Sequence, residues 1–302
     1  MTSVKLGVHL PVAGKDASPQ AIAQVAEEAE RIGLDSVWVW ERLMRPTVPI
    51  PMGGPGGPVM EAPEGFGSVY DPIETLAWVA ARTSRITLGT SVLDALFHSP
   101  VVLARRLATL DRLSDGRLVA GIGQGWMEQE FAAANVSMQR RGAGFEEHLL
   151  AMRAVWGPDP VHFEGRFYTV PEAAIGPKPV RAGGPALMVG AASPTAVERA
   201  GRLGVGLALV IFDWPTVREA VATFRAAAGA AGLDPSTLPV MLQVNGNVTD
   251  EPQDEHGPLL GSPEQVAADL EEAEKLGVDH VYWNSVEDHV GQLPLLAELR
   301  RG

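Results

Sequence analysis

The chain has 302 residues, 46% hydrophobic and 20% charged, a balance that can bury a full core in one large barrel or two smaller domains. A net charge of −13 argues against nucleic-acid or anionic-membrane partners. The lack of cysteine excludes disulfides and thiolate metal sites while leaving the redox compartment open.

The longest apolar run, Val205 to Phe212, is far short of the roughly twenty residues that cross a bilayer. No basic, apolar leader follows Met1, so a soluble cytoplasmic protein is expected. Val4 to Leu10 reads as a strand closed by Pro11. Ser18-Pro19 starts a helix whose inner stripe is Ile22, Val25, Ala26 and Ala29 and which Gly33 stops. Ser36 to Val39 is strand two. The Pro/Gly-rich segment after Glu41 is too long for a simple connection, and residues 44–70 read as a lid insertion. Asp71-Pro72 opens the next helix, Ile73 to Arg82. A βαβ unit follows: strand Ile86 to Val92, helix after Ser99-Pro100, stop at Asp115-Gly116, strand Leu118 to Gly123. Met127 to Asn135 and Phe145 to Trp156 read as helices. Residues 157–185 form a small hairpin insertion built on Val161-His162-Phe163 and Phe167-Tyr168-Thr169.

The second half alternates more plainly: strands near Met188, Leu207, Leu242 and Val281, each followed by a helix. Eight strand-helix pairs imply one α/β domain over 1–302, a closed (β/α)₈ TIM barrel with insertion segments. Arg31-Ile32-Gly33-Leu34-Asp35 recurs as Lys275-Leu276-Gly277-Val278-Asp279, the helix-glycine-strand turn that each unit requires.

Barrel sites sit at the C-terminal strand ends. Here these supply His9, Trp40-Glu41-Arg42, Ser91 to Asp94, Gly123 to Trp126, Gly190 to Ser193, Asn245 and Trp283-Asn284. No paired carboxylates stand at catalytic spacing, and the seven histidines lack ligand spacing, so no metal is expected. Gly121-x-Gly123-x-Gly125 and Gly190-Ala191-Ala192-Ser193-Pro194 let backbone N–H groups approach an anion beside a helix N-terminus; the alternative is tight turns with Ser193 as a helix cap. His9, Trp40, Phe97, Trp126, Asn245 and Trp283 are the expected substrate pocket, its aromatics walling a flat ring or capping the core.

Three segments, GLDSVWV at 33–39, TSRITLGTSV…HSPVVLARRLATLDRLSDGR at 83–117, and GIGQGW at 121–126, resemble the bacterial luciferase-like monooxygenase superfamily. RGAGFEEHLLAMRAVW, FEGRFY, IGPKP and VGAASPTAVERA fit the same family in the same order. The resemblance implies a TIM barrel that uses flavin mononucleotide (FMN) or the 8-hydroxy-5-deazaflavin coenzyme F-420, and the GTSVL strand resembles the F-420 branch. It implies a cis peptide at Ser91-Val92 behind the ring, a phosphate loop at Gly190, Ala191, Ala192 and Ser193, and cofactor contacts from Glu41, Gly123, Gln124 and Gly125. Where that branch's sugar-phosphate dehydrogenases end strand two with Asp-His, Glu41-Arg42 stands here, and Trp126 replaces an acid after strand four. Glu41, Arg42 and His98 are the catalytic candidates, Arg42 as an anion or substrate contact. The expectation is an F-420-dependent hydride-transferring oxidoreductase acting on a small molecule, with a homodimer by resemblance. Alternatives are an FMN-dependent monooxygenase and a flavin-binding barrel without turnover.

Overall fold

A computed structural model describes residues 3–15, 17–285 and 288–300; the expected domain limits, 1 and 302, lie outside them. The barrel strands are β1 (Lys5–His9), β2 (Ser36–Val39), β3 (Thr87–Thr90), β4 (Leu118–Gly123), β5 (Ala186–Gly190), β6 (Gly206–Val210), β7 (Val240–Asn245) and β8 (His280–Asn284). Every neighbouring pair is parallel, and β5 pairs with β4, which closes the ring in the order β1 to β8. Around it lie α1 (Pro19–Ile32), α2 (Pro72–Ala80), α3 (Pro100–Leu113), α4 (Glu128–Ala133), α5 (Ala143–Trp156), α6 (Pro194–Leu203), α7 (Trp214–Ala230), α8 (Pro263–Lys275) and α9 (His289–Glu298).

Local chemistry explains these limits. Ser18 accepts a hydrogen bond from Ala21 N, Pro19 opens α1, and Gly33 ends it at φ 88°. The repeated Gly-x-Asp turn has one function in both places. Asp35, just before β2, accepts from Leu6 N of β1 at 2.7 Å, and Asp279, just before β8, accepts from Val240 N of β7 at 2.8 Å. Each aspartate ties its own strand to the preceding one at the closed end of the barrel.

Alternation sorts the strand side chains. Leu6, Val8, Val37, Val39, Leu88, Leu207, Leu242 and Val281 pack outward beneath the helices. Trp38, Met188, Ala208, Met241 and Tyr282 fill the interior. Trp38 stacks on Tyr282 at 4.2 Å and donates from Nε1 to Ser36 Oγ, which meets His280 Nε2 at 2.6 Å. The indole fits because β3 offers Gly89, where a Cβ would stand 2.1 Å from the Trp38 ring.

The 44–70 segment holds an antiparallel pair, Ile50–Pro51 with Val59–Met60, and a short turn at Glu64–Gly67. Ile50, Ala62 and Met127 bury together with Met52, Phe66 and Trp126, so the segment is folded down onto the loop after β4. In the 157–185 segment, Val161–Glu164 pairs with Thr169–Ala173. The Glu147 carboxylate of α5 accepts from the backbone N–H groups of Arg166, Phe167 and Tyr168 and holds the intervening turn.

Candidate active site

Alternation carries one side chain per strand inward at the open end: His9, Trp40, Ser91, Gly123, Gly190, Val210, Asn245 and Asn284. Ser91 Oγ reaches Gln243 Oε1 and Tyr282 Oη, both at 2.9 Å. His9 is wholly buried beside Gln243 and Tyr282, and neither ring nitrogen completes a hydrogen bond. Burial, then the nearby His289, lowers its pKa to about 3, so it is neutral. This innermost ring therefore carries no formal charge at neutral pH.

The Ser91–Val92 peptide is cis, as the resemblance implied. Val92 stands between the two ring glycines: a Cβ at Gly123 would meet Val92 Cγ2 at 2.5 Å, and one at Gly190 would meet Val92 Cγ1 at 3.1 Å. Glycine on β4 and β5 thus leaves an apolar wall, free of competing side chains, on one side of the mouth.

Behind that wall lies a buried charge cluster. Residues Leu93–Asp94 pair in parallel with β4, so Asp94 faces Gly123, and its Oδ1 accepts from Gly125 N at 3.0 Å. Glu41 Oε2 accepts from Asp94 N at 2.7 Å, while Glu41 Oε1 lies 2.8 Å from His98 Nε2. Arg42 binds Glu130 at 2.5 Å, stands 3.6 Å from Asp94, and is sandwiched between Phe66 of the insertion and Trp126 at 5.1 and 5.0 Å. Burial pushes Asp94 up to about 7 against the pull of Arg42, with Glu41 and Glu130 adding to the rise. Burial opposes charge on His98, but the Glu41 hydrogen bond and charge outweigh it and raise its pKa. Glu41 and His98 therefore form a carboxylate-imidazole pair that can hold or release one proton.

A third region lies beyond the wall. The Gly190 to Ser193 loop leads into α6, whose first turn Ser193 caps through Ala196 N. Gln124 Oε1 accepts from Gly142 N at 3.0 Å, which sets Arg141 near Arg199 of α6. Burial first, then Arg202 and Arg141, lowers the Arg199 pKa despite Glu146 at 4.0 Å. Arg141 has no acidic partner among the described residues, and its guanidinium lies near that of Arg199, which has Glu146 beside it.

The geometry corrects several expectations. Trp283 does not line the pocket: it points outward, fully buried, and donates to Leu259 O, because alternation gives the inward positions to Tyr282 and Asn284. Arg42 is not free for an anion, since Glu130 and Asp94 hold it. Glu41 is buried, with its oxygens turned to Asp94 N and His98 rather than into the mouth. Phe97 packs edge-on to Phe131 at 5.1 Å beneath Gly125 and supports that turn rather than walling a ring. Trp40 meets Phe66 of the insertion at 5.7 Å. The partnership of Glu41 with His98, and the place of Glu130, had no signal in the linear sequence. No group of three metal-ligating side chains occurs among the described residues.

A closed parallel barrel with a neutral glycine-lined mouth and an adjoining basic end defines a ligand-binding α/β barrel. Residues 2–256 match the model of the luciferase-like monooxygenase family, and the chain belongs to that family. It is 32% identical over 208 residues to an F-420-dependent glucose-6-phosphate dehydrogenase of Amycolatopsis mediterranei; the match covers 67% of this chain and 56% of that protein. The chain thus aligns with little more than half of that relative. Among solved structures, monooxygenase RslO1 of Streptomyces bottropensis superposes with a TM-score of 0.80 at 24% identity, covering 98% of each chain. The coenzyme F-420-dependent tetrahydromethanopterin reductase of Methanopyrus kandleri superposes at 0.78 with 18% identity, covering 98% of this chain and 97% of that one. At these identities both show the fold.

Proposed function

We propose that this protein binds coenzyme F-420 and catalyses hydride transfer between it and an organic substrate. The observation that carries the reading is the arrangement around Val92: an apolar wall flanked by Gly123 and Gly190, continuous with the Gly190 to Ser193 loop and the partnerless Arg141. A flat ring fits the wall, and an anionic chain fits the basic end, where backbone N–H groups at the start of α6 add to the arginines. F-420 combines these two parts, and the relatives named for it support the choice. When bound, it supplies two-electron hydride chemistry.

The chain's own residues supply position. Val92 and the two glycines set the ring face presented to the mouth. Arg141 and Arg199 hold the charged end. Oxidation of an alcohol releases a hydride from carbon and a proton from oxygen; at the open mouth that proton passes to water. The 44–70 segment, folded onto Trp126 and Arg42, acts as a lid. FMN shares the flat ring and the phosphate, so it is the control ligand.

The test is a titration with F-420 and with its phosphate-free chromophore. Arg141→Ala and Arg199→Ala are expected to weaken F-420 about tenfold or more, with little change for the chromophore alone. Equal losses for both ligands would contradict this placement.

A further inference from the structure

The open end of the barrel is electrically lopsided, and the asymmetry identifies the substrate class. Among the described residues, the segments joining β6 to α7, β7 to α8 and β8 to α9 (211–213, 246–262, 285 and 288) contain six Asp or Glu and no Lys or Arg. His256, in the second of them, lies 3.7 Å from Asp269. In TIM barrels this arc is the frequent home of a phosphate group; here it offers an anion no cation and a repelling field. Inside the arc the inward side chains are Val210, Asn245 and Asn284. Val210 and its neighbour Phe212 are 39% and 75% exposed. Asn245 Oδ1 accepts from Gln243 Nε2 at 2.8 Å and from Asn284 Nδ2 at 3.2 Å. That leaves the Asn245 amide N–H and the Asn284 carbonyl as an uncharged donor and acceptor.

Resting on the F-420 reading above, we propose that the β6–β8 arc takes an uncharged alcohol or carbonyl compound and rejects phosphorylated or carboxylated ones. The apolar body of the substrate lies against Val210 and Phe212, and its oxygen meets the Asn245–Asn284 pair. In the oxidising direction the substrate C–H bond breaks with its electron pair passing to the cofactor. The hydroxyl proton leaves to water through the open mouth, and a C=O bond forms. Anionic ligands are confined to the β4–β5 side, where Arg141 and Arg199 stand. The chain thereby departs from relatives named for glucose 6-phosphate.

The experiment uses the full chain loaded with F-420, after cofactor binding has been measured. Matched pairs are titrated, glucose against glucose 6-phosphate and secondary alcohols against their phosphate esters. Ternary-complex formation is read from cofactor fluorescence and turnover from cofactor absorbance. The neutral member of a pair is expected to bind about tenfold tighter or more. Phe212→Ala is expected to raise KM several-fold with kcat within about twofold, the pattern of lost uniform binding. Tighter binding of the phosphorylated member would overturn the proposal, as would cofactor-loaded protein that responds to no neutral compound. Failure of F-420 itself to bind would overturn the F-420 reading, and is seen beforehand in the cofactor titration.

Discussion

Arg42 shows how a single residue holds this site together and why sequence alone misplaces it. Met at this position would leave Glu130 and Asp94 buried without their cation, and such broken pairs cost about 3–5 kcal/mol. Arg42→Met is therefore expected to lower urea-unfolding stability by that order, with the double variant Arg42→Met/Glu130→Leu recovering part of the loss. Glu41 and His98 were each visible as polar groups at strand ends, but their pairing spans 57 positions and needs β2 and β3 side by side. His98→Leu is expected to lower urea-unfolding stability by about 1–3 kcal/mol, because the buried Glu41 carboxylate loses a partner. Trp283 was misplaced because an apolar strand buried on both faces hides which parity points inward; Trp38 and Tyr282 settle it only once neighbouring strands are in register.

At the scale of elements, the strands and helices were largely readable, since caps and stops lie in the sequence: Ser18-Pro19, Asp71-Pro72 and the αL glycines Gly33, Gly204 and Gly277. The two-residue strand Leu93–Asp94 was not, because two residues carry no period. Gly89→Ala is expected to cost about 1–3 kcal/mol, the usual range for overpacking, because the added methyl meets the Trp38 ring. A thermal melt checks this, and Trp38→Phe should soften the loss.

Buried histidines give the elements a shared pH dependence. Burial lowers His9 and His280 to about 3 and His148 to about 4 from an ordinary 6.5. The unfolded chain takes up these protons first, so stability is lost as pH falls below 6.5, by at most about 1.4 kcal/mol per pH unit for each group. Asp94, raised to about 7, acts in the opposite sense: its contribution is full below 3.8 and is lost as pH rises through 7. Three groups outweigh one, so the melting temperature should fall from pH 6.5 to pH 5. His148→Gln, which keeps a donor for His98 O, should flatten that slope.

Across the whole molecule, the eightfold rhythm and net charge were visible from composition and pattern, but the separation of charge around the mouth was not. Arg141 and Arg199 come from different units and meet only because the loop after β4 folds back through Gln124 to α6. The acidic segments after β6, β7 and β8 become one arc only when the ring closes. This polarity gives the account its central claim: a deazaflavin with its anionic end toward Arg141, and room for an uncharged substrate opposite. The measurement that tests it most directly is titration calorimetry of the cofactor-free protein with F-420 and with FMN in separate runs. Micromolar or tighter binding of F-420, with FMN at least about tenfold weaker, is the predicted result; tighter binding of FMN, or of neither, would contradict it.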